Sequence, residues 1–182
     1  MTASARIVSG EYYHLYNRGN HRDPIFHQPR DYERFLWSLS DAAAIHGVTI
    51  YAYCLMPNHF HSLVRQRVGG SLTKMMRSFV TSYAMYYNRA YGNVGHVFQG
   101  RYKARRIENT EDLLWLTRYI HRNPIEFAPM DTYHWSSYRA YAYGEPNNFC
   151  ESALIRQVFA DTYACSYATF CAESLRSDLP AT

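Results

Sequence analysis

Between Asp41 and Glu108 the chain has no acidic residue. The same stretch carries Arg65, Arg67, Lys74, Arg77, Arg89, Arg101, Lys103, Arg105 and Arg106, a local charge of +9 inside a net charge of +4, so the remainder sums to −5. The acids gather instead after Pro124, where Glu126, Asp131, Glu145, Glu151, Asp161, Glu173 and Asp178 stand against Arg139, Arg156 and Arg176. Such a split excludes an evenly mixed surface and points to a basic face for a polyanion. No window approaches the roughly 18 unbroken apolar residues of a membrane span. Met1 to Gly10 lacks the apolar centre of a secretory signal. Cys54, Cys150, Cys165 and Cys171 contain no Cys-x-x-Cys pair, which removes a zinc ribbon and a dithiol redox motif; they read as reduced packing residues of a cytoplasmic protein. Internal repeats, low-complexity tracts and a nucleotide-triphosphate motif are also missing.

What is present suits one domain of moderate size: 182 residues with 47% apolar content. Tyrosine is abundant, at 18 copies, many of them among the basic residues. Bases of an unpaired nucleic acid stack on aromatic rings for roughly 1–3 kcal/mol each, so interleaved Arg and Tyr fit a single strand better than a duplex. Most of these tyrosines are also expected to pack the core.

Periodicity gives the elements. Tyr12 to Tyr16 is a first strand, followed by a polar turn at Asn17-Arg18-Gly19-Asn20. Phe35, Leu36, Leu39, Ala42, Ala43 and Ile45 recur at helical spacing within a helix over 31–46, which Gly47 stops. Val48 to Met56 and His59 to Gln66 form two strands around Pro57-Asn58. A long helix begins at Leu72, with Met75, Met76, Phe79, Tyr83, Tyr86 and Ala90 on one face, and ends at Gly92. Gly95 to Ile107 is a loop and strand in which Arg101, Lys103 and Arg105 share a face. A helix over 110–122, capped by Asn109 or Thr110 with Glu111 and Asp112 in its first turn, stops at Pro124. Beyond it lie a short helix or turn at 135–143 and one or two helices within 151–175. The order β, α, β, β, α, β, α predicts an α+β fold: a ferredoxin-like, RRM-like antiparallel sheet with helices on one face and a C-terminal helical extension. The opposite face is then free to hold a site. Residues 10–125 form the expected catalytic domain and 126–182 an extension packed on it.

Strand alternation places His59 and His61 on one face and Phe60 on the other. Two convergent imidazoles are half a metal site, although a solvated His-x-His pair gives the same pattern. On the 110–122 helix, Leu113, Leu116 and Ile120 form the core stripe. Trp115, Tyr119 and Asn123 form an adjacent one, so Tyr119 and Asn123 project toward one point. Two imidazoles and an amide oxygen leave positions open on a divalent ion, and oxygen-rich open sites suit Mg²⁺ or Mn²⁺ when a phosphate supplies further ligands. Tyr119 is then placed either as a nucleophile or as a packing tyrosine. His14, His21, His27, His96 and His121 lack ligand spacing to the pair. His121 should point roughly 160° from Tyr119 at about 100° per residue, which marks it as structural or DNA-facing.

Four stretches carry a resemblance. His59-Phe60-His61 after Met56-Pro57-Asn58, Tyr119-Ile120-His121-Arg122-Asn123-Pro124, Arg18-Gly19-Asn20, and Gly95 to Lys103 together resemble the single-tyrosine HUH transposases, in the branch of REP-associated tyrosine transposases, over about residues 10–125. The resemblance implies His59 and His61 as metal ligands, Asn123 in the third-ligand position where some relatives have Gln, and Tyr119 as nucleophile. It implies attack on a single-stranded DNA phosphate beside an imperfect hairpin, giving a 5′-phosphotyrosine and a free 3′-hydroxyl. Arg18, Arg101, Lys103, Arg105 and Arg106 are the candidate DNA contacts. The implied partner is single-stranded DNA with a hairpin or palindromic element, met in the cytoplasm at the nucleoid; monomers and tyrosine-exchanging homodimers both occur in the family. Two other readings remain: a noncatalytic single-stranded nucleic-acid-binding module on the same sheet face, and a metallonuclease that uses water rather than tyrosine.

Overall fold

A computed structural model describes residues 7–173. Arg176 and Asp178 of the charge count, positions 174 and 175 of the predicted helical stretch, and residues 1–6 of the N-terminal segment lie outside the described residues. The strands are β1 (Tyr12–Arg18), β2 (Val48–Met56), β3 (His59–Gln66) and β4 (Lys103–Arg106). The helices are α1 (Pro29–Ile45), α2 (Leu72–Tyr91), α3 (Thr110–Arg122), α4 (Tyr138–Ala142), α5 (Ala153–Thr162) and α6 (Tyr167–Ala172). The strands form one antiparallel sheet in the order β2-β3-β1-β4. Two β-α-β halves interleave, which is the ferredoxin-like α+β arrangement expected from the pattern.

Local signals account for the boundaries. Pro29 opens α1, and a reciprocal Gln28–Asp31 capping box secures its first turn. Ser71 caps α2 by accepting from the Lys74 N–H, and Gly92 ends it in the left-handed conformation at φ 60°. Asn109, rather than Thr110, caps α3 by accepting from the Asp112 N–H at 2.8 Å.

On one face of the sheet Tyr13, Leu15, Phe60 and Val64 pack with Phe35, Leu36 and Leu39 of α1 and with Met75, Met76, Phe79 and Tyr83 of α2. Ile45, expected on the core stripe of α1, is 66% exposed at the last residue of the helix. Ala90, next to the last residue of α2, is exposed too.

The second face is not left bare. Leu113, Leu114, Leu116 and Ile120 of α3 pack on Tyr51, Ala52, Cys54 and Met56 of β2 and on Leu63 of β3, with Tyr141, Phe159, Tyr167 and Phe170 from α4–α6 closing this second core. A bulge between Ile50 and Ala52 puts two consecutive residues, Tyr51 and Ala52, on that face. Helices therefore cover both faces, the second only over β2 and β3. The Tyr16–Arg18 end of β1 and strand β4 stay open there.

Residues after Pro124 also guard the β2 edge. The Leu55 N–H donates to the Trp135 carbonyl, Ser137 N–H to Tyr53 and Glu151 N–H to Ile50, at 2.8–3.0 Å. An edge strand with unpaired backbone groups invites unwanted pairing, and these bonds remove that hazard. Of the cysteines, Cys54 and Cys171 are buried and Cys150 half-buried, as packing residues should be, whereas Cys165 is exposed.

His121 joins the two regions. It is fully buried, with Nδ1 2.7 Å from the Tyr167 hydroxyl and Nε2 2.8 Å from Ser137 Oγ. Its role is structural, not DNA-facing, and burial lowers its pKa to about 3. Because the unfolded chain takes up a proton that folded His121 refuses, this residue's contribution is present above pH 6.5 and is lost as pH falls toward 3. Replacing His121 with Leu should cost about 1–3 kcal/mol at neutral pH in urea melts. It should also flatten the dependence of stability on pH across that acidic window by about one proton's worth, near 1.4 kcal/mol per pH unit.

Candidate active site

The open half of the second face holds a cleft of about 570 Å³. Its floor follows from strand register. Tyr16 pairs with His61 and Arg18 with His59 between β1 and β3, while Tyr16 pairs with Lys103 and His14 with Arg105 between β1 and β4. Alternation then turns His14, Tyr16, His59, His61, Lys103 and Arg105 to this face. Phe60 is fully buried on the other face against Phe35 and Phe79, at ring distances of 5.0 and 6.0 Å.

The two histidine rings lie 5.2 Å apart, nearly perpendicular. Nδ1 of His59 is 2.7 Å from Asn58 Oδ1, whose Nδ2 in turn donates to the Arg22 carbonyl at 3.0 Å. His61 is 5% exposed, and its Nδ1 lies 2.9 Å from Nε2 of His14. Each histidine thus has its Nδ1 engaged and its Nε2 left over. From α3, Tyr119 sets its ring edge-on to His61 at 5.2 Å and to His14 at 5.8 Å. Asn123 gives its amide Nδ2 to the Tyr119 carbonyl at 2.8 Å and stands beside His59. The histidine pair, the tyrosine and the amide meet within one chain. Trp115, on the same stripe, packs instead on Phe170.

Electrostatics follow from this burial. Burial lowers His59 below the ordinary imidazole value, opposed by the neighbouring Asn123 amide and helped by the Arg18 charge. Burial, then His14 and His59, hold His61 well below it. His14 falls to about 3, through burial and the Arg105 guanidinium against the opposing Asp112. All three rings are therefore neutral near pH 7, the form whose nitrogen lone pair can bind a metal. The Tyr119 phenol is raised above 10 by burial and by Tyr16. Among the described residues no group of three or more His, Cys, Asp or Glu could hold a metal. The donor set is instead two imidazoles and the Asn123 amide, which fits a divalent ion completed by phosphate and water.

The candidate cations divide. Arg18, Arg101 and Lys103 line the cleft with Tyr119 and the two histidines. Arg18 Nε donates to Gln99 Oε1, and Lys103 Nζ lies 5.6 Å over the Tyr16 ring. Arg105 faces the same side but is held by both oxygens of Asp112 at 2.8 and 2.9 Å. The structure does not bring Arg106 to the cleft: alternation sends it to the other face of β4, where Glu11 binds it at 2.9 Å. Nor do the nine cations of the acid-free stretch form one face, since Lys74, Arg77 and Arg89 lie exposed on α2, across the sheet.

Sequence reasoning missed His14, Tyr16, Arg22, Asn58 and Gln99. Alternation on β1 marks His14 and Tyr16 as sharing a face, but only the β1–β3 register places that face beside His61. Arg22 arrives through a turn in which His21 and Arg22 both adopt left-handed backbone, at φ 53° and 65°, a conformation uncommon for residues with a Cβ. Gly19 begins that turn, and a Cβ there would meet the Asp23 carbonyl oxygen at 2.0 Å, so close approach demands the glycine.

Fold and site together define the class: a ferredoxin-like α+β protein whose basic, acid-free cleft joins a histidine pair to a tyrosine. The sequence model of the family described as "Transposase IS200 like" matches residues 7–123, and the chain belongs to that family, an enzyme class that cuts and joins DNA. No curated protein matches it significantly. Among solved structures, its fold is similar to that of a REP-associated tyrosine transposase bound to a REP hairpin, with a TM-score of 0.65 and 17% identity, covering 83% of this chain and 98% of that one. A candidate transposase from Deinococcus radiodurans R1 gives a TM-score of 0.47 at 17% identity, covering 66% and 95%. A bacterial tRNA(His) guanylyltransferase-like protein in complex with GTP gives 0.42 at 10%, covering 68% of each chain. Neither of these last two bears on the reading of this chain.

No helix among the described residues is long and apolar enough to cross a membrane. If the cleft cations contact a strand, Arg101→Ala and Lys103→Ala should each weaken single-stranded DNA binding and reduce the slope of log affinity against log salt by about 0.7, as read by fluorescence anisotropy. Arg106→Ala should leave that slope nearly unchanged.

Proposed function

We propose that this transposase is a metal-dependent single-stranded DNA endonuclease and strand transferase of the REP-associated type, in which Tyr119 is the nucleophile. The observation that carries the reading is the meeting of Tyr119, His59, His61 and Asn123 at one end of an acid-free cleft. His59, His61 and Asn123 would hold a Mg²⁺ or Mn²⁺ ion. When bound, that ion supplies Lewis-acid stabilisation of charge on the scissile phosphate and the leaving oxygen.

The protein's own groups do the rest. Arg18, Arg22, Arg101 and Lys103 hold the strand by its phosphates, and Arg105, ion-paired to Asp112, adds a weaker contact. Tyr16 offers a ring face on which a base can stack. The phenol oxygen of Tyr119 forms a bond to phosphorus as the 3′-oxygen leaves, giving a 5′-phosphotyrosine and a 3′-hydroxyl. The phenolic proton passes to water and the leaving oxygen takes one up. Later attack of a 3′-hydroxyl on the same phosphorus releases Tyr119 and rejoins a strand, so transesterification needs no nucleotide triphosphate. Burial keeps the phenol protonated near neutrality, which leaves proton loss coupled to attack.

The DNA next to the cleavage point is a hairpin or palindromic element in this reading, and the protein acts in the cytoplasm at the nucleoid. Residues 10–125 are the catalytic domain and 126–182 an extension, whose described part up to Glu173 clamps α3. Arg118 and Arg122 bind the carbonyls of Phe170, Cys171 and Glu173, which supports action of Tyr119 within its own chain.

Incubating the protein with hairpin-bearing single-stranded DNA and Mn²⁺ should yield a covalent adduct that survives denaturing electrophoresis. Tyr119→Phe should abolish the adduct and retain binding. Cleavage that persists in Tyr119→Phe would instead establish a water-using metallonuclease, and equal binding without any adduct would leave only a binding module. His59→Ala and His61→Ala should each lose cleavage and keep most of the affinity for the strand.

A further inference from the structure

We propose that His14 is a positioning residue of the candidate metal centre: it accepts the Nδ1–H of His61 and so leaves the Nε2 lone pair of His61 facing the ion. This rests on the divalent-ion reading above. A neutral imidazole has one N–H, and a ring nitrogen binds a metal only through a bare lone pair. For His59 the assignment follows from its partner. Asn58 Oδ1 can only accept, because the Nδ2 of the same amide is given to the Arg22 carbonyl. Nδ1 of His59 therefore donates, and its Nε2 is bare.

For His61 the partner is a second imidazole, and two arrangements satisfy the 2.9 Å contact. If His14 donates from Nε2, then His61 accepts at Nδ1 and carries its proton on Nε2, which blocks ligation. If His61 donates from Nδ1, then His14 accepts at Nε2, and Nε2 of His61 is bare. Only the second is competent for metal, and it requires an acceptor where His14 Nε2 stands. Water is a poor substitute, since His14 and His61 are 6% and 5% exposed. Their rings lie 25° from parallel at 5.1 Å, and the other contacts of His14 hold that alignment. It stacks on Tyr16 at 4.7 Å, and its backbone is paired on both sides of β1, with Leu63 and Arg105.

His14 is not itself a third ligand. His14, His59 and His61 do not form a metal-binding group of three, and the Nε2 that a ligand would need is spent on His61. Metal-binding histidines are commonly oriented in this way by an acceptor on the far ring nitrogen, and losing that acceptor costs affinity for the ion.

The test measures Mn²⁺ binding to the full chain by calorimetry, comparing wild type with His14→Gln, His14→Phe and His61→Ala. His14→Phe keeps the ring volume but offers no acceptor, and should weaken Mn²⁺ binding by about 10- to 100-fold, whereas His14→Gln, whose Oε1 can accept, should stay within about threefold of wild type. Long-range ¹⁵N spectra of the wild-type protein give an independent reading and should show the His61 proton on Nδ1. A His61 proton on Nε2, equal Mn²⁺ binding by His14→Phe and wild type, or equal weakening by Phe and Gln would each overturn the role of His14. If His61→Ala binds Mn²⁺ as wild type does, the ion reading fails as well, so the two failures are told apart.

Discussion

Phe60 is the pin on which the cleft turns. Its ring is fully buried between the sheet and helices α1 and α2, and losing such a side chain from a core costs about 3–5 kcal/mol. A strand alternates its faces, so burying Phe60 leaves His59 and His61 no choice but the opposite face. A slip of one residue would bury both imidazoles among aromatic rings and expose Phe60. The geometry of the histidine pair is thus secured by hydrophobic packing on the far side of the sheet, where no catalytic group is needed.

Pairing with β1 then furnishes what the histidines lack. The register that sets Tyr16 opposite His61 also delivers His14 to its Nδ1 and lines β1 with an aromatic face beneath Lys103. Helix α3 completes the arrangement from the other side. Its apolar stripe sits on β2 and β3, from where Tyr119 reaches His14 of β1 and Asn123 stands beside His59 of β3. The residues beyond Pro124 hold α3 there through backbone carbonyls of α6 and the buried His121–Tyr167–Ser137 connection. The extension beyond Pro124 therefore sets where Tyr119 stands relative to the histidines.

Much of this was legible in the sequence because the decisive signals are local. Helical spacing marked Phe35, Leu39, Met75 and Phe79 as core, and they are buried. Capping residues and glycines marked the ends of α1, α2 and α3. Ile45 and Ala90 went astray at the last turns of their helices, where the periodic pattern continues but the side chains are exposed. The charge map misled in a similar way: an acid-free run of residues is contiguous in sequence, but the chain crosses the sheet within it, so Lys74, Arg77 and Arg89 of α2 emerge on the opposite side from Arg101 and Lys103. Neighbouring acids also matter, since Asp112 and Glu11 occupy Arg105 and Arg106.

The sequence by itself determined that His59 and His61 share a face and that Tyr119 and Asn123 share a helix stripe. It also determined that the strand–helix order suits a ferredoxin-like sheet, because backbone periods of two and of 3.6 are properties of each segment alone. Only the tertiary structure decided that α3 crosses to the second face, that β1 lies against β3 in the register bringing His14 and Tyr16 to His61, and that a left-handed turn admits Arg22. Those outcomes depend on which apolar surfaces bury one another across long stretches of chain. Burial is non-directional, so a segment's own pattern states which face seeks cover without naming the partner that supplies it.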